Sequence, residues 1–216
     1  MMAIYNEEER KAGTLLLSQF KMFNEATVMF ETHIEPSFWK GFDRCIDEFV
    51  RAVEWAHEIN YADNEYSWLA PQSWEVENDS WRYWFETYNT AMQEADFTLA
   101  LLTGNGTEDA EMGFRFTLAE RYFGKGKKRA VYVSERIGSQ YYSTLGTLGF
   151  RDLNDGNFFL PVHLDLNIIA ACWQEHGEFP HDHAVFSPLC AALRILKEAA
   201  LVFEAFCNAP PDELEN

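Results

Sequence analysis

The stretch from Ala95 to Ser134 constrains the fold most, because apolar runs and glycine-rich breaks alternate there at short intervals. Phe97-Thr98-Leu99-Ala100-Leu101-Leu102 is a brief apolar run bounded by turn signals, which predicts a strand buried on both faces. Gly104 and Gly106, within Thr103 to Thr107, break it. Met112, Phe116, Ala119 and Phe123 then recur at helical spacing, so the pattern predicts a helix with Glu108, Asp109 and Glu111 in its first turn. Gly124-Lys125-Gly126-Lys127-Lys128 suits a helix C-terminus, and Ala130-Val131-Tyr132-Val133 reads as a second buried strand. Strand, loop, helix and strand predict a right-handed crossover in a parallel sheet. The fold class expected is therefore α/β: a three-layer, doubly wound arrangement of the flavodoxin or Rossmann kind, with a mainly parallel sheet and added N- and C-terminal helices.

Ligands of open parallel sheets sit beyond the C-terminal strand ends. The loop from Thr103 to Asp109, with Asn105, occupies such a position, and Glu111 falls just inside the following helix. A helix dipole favours an ionised carboxylate there, which could act as a nucleophile or stabilise a developing cation. Acids in a first helical turn are also ordinary helix chemistry, and spacing alone leaves both readings open.

The rest of the chain supplies packing elements. Asn6 with Glu7, Glu8 and Glu9 predicts a capped helix carrying Leu15, Leu16, Phe20 and Phe23 on its apolar side. Ala26 to Phe30 reads as a strand. Phe38, Phe42, Ile46, Phe49, Val50 and Val53 form one stripe of a helix from Phe38 to about Asn60. Tyr66 to Ala70 is a short extended candidate, and Trp81 to Glu94, capped by Asn78-Asp79-Ser80, reads as a helix. Gly138 to Gly156 reads as a long loop, Phe158 to Val162 as a short strand, and Asn167 to Trp173 as a helix. Ser187-Pro188 opens a strongly apolar helix to Cys207. One domain is expected over 1–216, with a helical addition at 1–25, a core at 26–173, a C-terminal helix at 187–208 and a disordered tail at 209–216.

The formal charge is −18, from 35 acidic against 17 basic residues, which disfavours polymeric nucleic acid and an anionic membrane surface as partners. The same field suits a basic protein partner. Seven Trp and eighteen Phe exceed what the core can hide, and with the apolar C-terminal helix they predict a pocket or a homo-oligomer interface. Cys45, Cys172, Cys190 and Cys207 show no paired or metal-ligand spacing, so free thiols and a cytoplasmic location are expected. His176, His181, Asp182 and His183 cluster in sequence and could bind a metal, but their spacing matches no standard site and Gly177 and Pro180 interrupt it, so a solvated loop is expected.

Ala95-Asp96 before an apolar run, followed by Glu111-Met112-Gly113-Phe114, resembles the nucleoside 2-deoxyribosyltransferase family and its N-glycosidase relatives. Thr87-Tyr88-Asn89 and Leu166-Asn167-Ile168-Ile169 add to the likeness, which spans residues 26 to 173. It implies cleavage or transfer at the N-glycosidic bond of a nucleoside or nucleotide, with Glu111 as nucleophile toward C1′ and Asn167 reaching the sugar. Asn105, Asp109, Gly113 and Glu31 would then line the substrate site, without metal or cofactor. Two departures stand out: the family's glycine turn is replaced by Glu31 to Pro36, and its proton-donating Asp falls near Tyr88 or, in the rival alignment, Ala91, neither a carboxylate, with Glu86 the nearest acid. Either Tyr88 or Glu86 has taken the acid role, or the transferase chemistry is lost. The alternatives are an acidic, non-catalytic binding protein, of the immunity or inhibitor kind, that occludes a basic toxin, or a nucleotide sensor.

Overall fold

The computed structural model describes residues 6–77, 80–91, 96–106 and 109–211. The expected cap at Asn78-Asp79, Ala95, part of the glycine-rich loop and the end of the tail lie outside these residues. The chain begins with helices α1 (Glu7–Ser18) and α2 (Phe20–Met29), and a π turn at Phe30–Ile34 leads into α3 (Glu35–Ala52). Asn6 and Glu9 close a reciprocal capping box on α1. Val28 and Phe30 are β-branched and aromatic, yet the expected strand at Ala26 to Phe30 is helical. Pro36 sits in the first turn of α3, where its missing N–H costs nothing, so the helical path continues.

The sheet replaces the predicted topology. Its strands are β1 (Ala56–Asn60), β2 (Tyr66–Ala70), β5 (Tyr83–Asn89), β6 (Met112–Leu118), β7 (Arg151–Asp152) and β8 (Phe158–Pro161). They form a six-stranded sheet in the order β1-β2-β5-β6-β8-β7. Every pairing is antiparallel, so the mainly parallel, doubly wound class is corrected. A small two-stranded antiparallel sheet of β3 (Glu75–Glu77) and β4 (Ser80–Trp81) stands apart from it.

The organising stretch is thus inverted. Phe97 to Leu102 is not a strand; Thr98–Leu102 forms the short helix α5, consistent with its leucines and alanine being strong helix formers. Glu111 to Leu118 is not a helix; Met112, Phe114, Phe116 and Leu118 point one way from β6. Met112 and Phe116 fit both periods, and Phe114 and Leu118 favour two. Ala130 to Val133 belongs to helix α7 (Lys127–Ser134), which follows the one-turn α6 (Glu120–Phe123). α7 is pinned by the Tyr132 hydroxyl donating to the Cys207 carbonyl. The predicted helix from Trp81 is β4 and β5, where aromatic and β-branched side chains suit a pleated surface.

Other expectations survive with shifted bounds. α3 stops at Ala52, because Glu54 takes a positive φ of 56° and β1 follows. The expected long loop at Gly138 to Gly156 is corrected: it folds into helix α8 (Gln140–Thr147), capped by Ser139, and strand β7. Tyr66 to Ala70 and Phe158 to Pro161 are strands, and α9 (Leu166–His176) and α10 (Ser187–Asn208) are helices, as predicted. The one-turn helix α4 (Tyr61–Asn64) joins β1 to β2.

The core lies on one side of the sheet. Tyr83, Phe85 and Thr87 of β5 face the same way as Leu118, Phe116 and Phe114 of β6, and the register pairs them directly. Phe116 stacks on Phe203 of α10 at 3.7 Å between ring centroids, and Phe85 and Phe158 crowd the same ring. The buried stripe of α3 (Phe38, Phe42, Ile46, Val50) packs beside α10. α1 and α2 contribute no buried residue; Leu17 of α1 is 70% exposed. Among the described residues no helix is long and apolar enough to cross a membrane.

Candidate functional site: the open face of the sheet

Alternation along each strand sends every second side chain to the face away from α10. From β5 these are Trp84, Glu86 and Tyr88; from β2, Tyr66 and Trp68; from β6, Gly113, Arg115 and Thr117. From β8 and β7 they are Phe159 and Arg151.

Glu86 is the centre of this face. Its Oε1 accepts from Arg115 Nε at 2.8 Å, Arg115 Nη2 at 2.5 Å and Thr117 Oγ1 at 2.7 Å. Its Oε2 accepts from Tyr66 OH at 3.0 Å and Trp84 Nε1 at 2.9 Å. The side chain is only 6% exposed. Burial works to raise its pKa, but the Arg115 charge and the hydrogen bonds from Trp84, Thr117 and Arg115 outweigh burial and hold it below the ordinary carboxylate value. Burial, and next the adjacent Glu86 charge, push the Tyr66 phenol upward. Arg115 also lies over the Tyr88 ring at 3.9 Å, a cation–π contact that fixes the ring. With five donors on its two oxygens, Glu86 has no lone pair left for proton transfer.

Beside this hub runs a groove of about 980 Å³. Trp55, Trp68, Trp81 and Trp84 wall it, with Tyr66 and Tyr122. Trp68 and Trp81 approach to 5.4 Å between centroids, so the β3–β4 pair forms one bank. Glu75 and Glu120 also line it, and Glu58 accepts from Trp68 Nε1 at 3.4 Å. The arrangement is a large aromatic surface bordered by Glu75, Glu120 and Arg121.

The predicted site residues divide into separate places. Glu86 and Tyr88 meet through Arg115, as described. Glu111 is not in a helical first turn but directly precedes β6, where its carboxylate pairs with Arg151 and remains 42% exposed. Glu111 stands four positions before Arg115, the partner of Glu86, which puts their Cα atoms roughly 13 Å apart along the strand. Carboxylate pairs that cleave glycosidic bonds stand about 5–9.5 Å apart. Gly113 serves packing: a Cβ there would collide with the Leu160 carbonyl oxygen of β8. Asn105 and Asn167 do come together, in a different cleft of about 430 Å³ with Thr103 and His163. Asp109 is exposed, and Glu31 is exposed in the π turn, so neither joins the hub. The crevice premise for Glu111, a helix N-terminus at a parallel strand end, is absent from the fold.

Sequence reasoning missed Arg115, Trp68, Trp84, Tyr66 and Thr117. The signal was present: Trp84-Phe85-Glu86-Thr87-Tyr88 alternates, and an acid between aromatic residues of a strand needs a cation from the neighbouring strand. No family model, no curated protein and no solved structure matches this chain, so the residues of the sheet face carry the functional argument alone.

Proposed function

We propose that this protein is a non-catalytic, acidic binding protein, which holds a basic polypeptide partner in the tryptophan-walled groove and occludes it, as an immunity or inhibitor protein does. The carrying observation is the groove itself: Trp55, Trp68, Trp81 and Trp84 line an opening bordered by Glu75 and Glu120, with Arg121, itself 3.9 Å from Glu77, as its one cation besides His57 among the lining residues. The whole chain bears a formal charge of −18. Arginine and lysine side chains bind tryptophan faces by cation–π contact, at about 0.5–2 kcal/mol each, and long-range attraction speeds their approach. The carboxylates that enzyme chemistry would need, Glu86 and Glu111, are each held by an arginine. Four free cysteines suit a partner met in a reducing compartment such as the cytoplasm.

The test is a fluorescence titration with an arginine-rich decapeptide, beside a glutamate-rich one of equal length. The basic peptide should quench tryptophan emission, more weakly as salt rises, and Trp68→Ala should reduce affinity about tenfold or more, as expected of an aromatic anchor. Incubation with a nucleoside and nucleotide panel should release no free base. Release of base that disappears in Glu111→Ala would overturn this reading in favour of N-glycosidic chemistry.

A further inference from the structure

Helix α9 ends with Cys172 and His176 one turn apart, so both project from the same face. Gly177, at φ 66°, ends the helix and turns the chain back. Phe179 anchors the returning segment, its ring against Trp173 at 5.7 Å and Phe38 at 5.4 Å between centroids. The segment then delivers His183 beside His176, with ring centroids 5.5 Å apart at 72°. One ligand atom from each of Cys172, His176 and His183 lies within 4.8 Å of the others. In sequence the three form Cys-x3-His-x6-His, a spacing that becomes legible only once α9 and the return turn are known.

We propose that Cys172, His176 and His183 bind a zinc ion, with water in the fourth position. Thiolate with two imidazoles is a borderline-soft donor set that suits Zn(II). Zinc–sulfur and zinc–nitrogen bonds of about 2.3 and 2.0–2.1 Å draw ligand atoms together to within roughly 4 Å. Rotation of His176, whose side chain is 35% exposed, can supply that closure. Cys172 is buried, and burial, followed by the charge of Glu175, keeps its thiol protonated without metal. Binding therefore forms a sulfur–zinc bond and releases that proton to solvent. His183 Nδ1 accepts from the Val185 N–H at 3.2 Å, capping the turn before α10. Zinc on Nε2 would leave the proton on Nδ1, so binding exchanges this cap for the metal bond. The neighbouring His181 is engaged elsewhere, its Nε2 lying 2.8 Å from Glu48 of α3. Zinc would thus staple the end of α9 to the start of α10.

The test uses the whole 216-residue chain, stripped with a chelator and titrated with Co(II) and then Zn(II). Tetrahedral d–d bands together with a sulfur-to-cobalt charge-transfer band are expected, saturating at one equivalent and displaced by zinc, with a rise in Tm. Cys172→Ser should abolish the charge-transfer band. His176→Gln, at a surface position, should keep the far-ultraviolet circular dichroism and weaken affinity about tenfold or more by loss of one ligand. His181→Gln should bind as the wild type does. Absence of the charge-transfer band, or His176→Gln binding as tightly as the wild type, would overturn the proposal even if Cys172→Ser failed to fold.

Discussion

Glu86→Ala offers the sharpest test of how the open sheet face is built. The substitution leaves Trp84 Nε1 without its acceptor and Arg115 without its counterion, in a place where the carboxylate is 6% and the guanidinium side chain 25% exposed. Breaking a fully buried ion pair costs about 3–5 kcal/mol. Water can reach Arg115 in part, so the lower end, about 3 kcal/mol, is expected here. For a chain of this size that is a fall in Tm of about 6–12 °C. With a urea m-value of about 3 kcal/mol per M, the midpoint drops by about 1 M at unchanged slope. Glu86→Gln keeps the shape but turns an amide N–H₂ toward donors, and should cost about half as much. Because the folded pKa of Glu86 lies below the ordinary value of 4.5, its contribution is complete above that pH and is lost as pH falls through the folded pKa. The stability gap between wild type and Glu86→Gln should therefore close on acidification. A Glu86→Ala stability within about 0.5 kcal/mol of wild type, a midpoint shift of about 0.2 M or less as for ordinary surface changes, would refute the reasoning.

Gly113→Ala should cost about 2–3 kcal/mol, since its Cβ meets the β8 backbone, including Pro161 Cα at 2.9 Å, which cannot swing away. Equilibrium denaturation reads the loss, and a neutral result would contradict the β6–β8 register. Deleting residues 1–19 should change Tm by no more than about 4 °C, because α1 buries no residue and its loss removes less than about 1 kcal/mol of packing.

Helices with one-sided apolar stripes were legible in the sequence. α3 and α10 have long runs whose apolar positions fit only a helical period. The sheet was less legible for a specific reason. In Met112 to Leu118 the apolar positions Met112 and Phe116 stand four apart, which satisfies a strand and a helix equally. Ala119 and Phe123, which extended the helical pattern, belong to the loop and one-turn helix after the strand. The run Phe97 to Leu102 was short enough for either state, and its Leu-Ala-Leu-Leu content decided for helix. Glu86 was found as a candidate because it was an acid near a family position. Its surroundings, however, come from cross-strand pairs with Arg115 and Trp68, which only the antiparallel register supplies.

The central claim is that a basic partner enters the tryptophan groove, and amide hydrogen exchange with the arginine-rich decapeptide bound measures this most directly. Protection is expected in Tyr66–Ala70, Ser80–Trp81 and the residues from Ala119 to Tyr122, the segments that wall the groove. Exchange across α9 and α10 should be unchanged. Protection confined to the acidic first turn of α1, or spread evenly over the surface, would show attraction to net charge without a site and would contradict the claim.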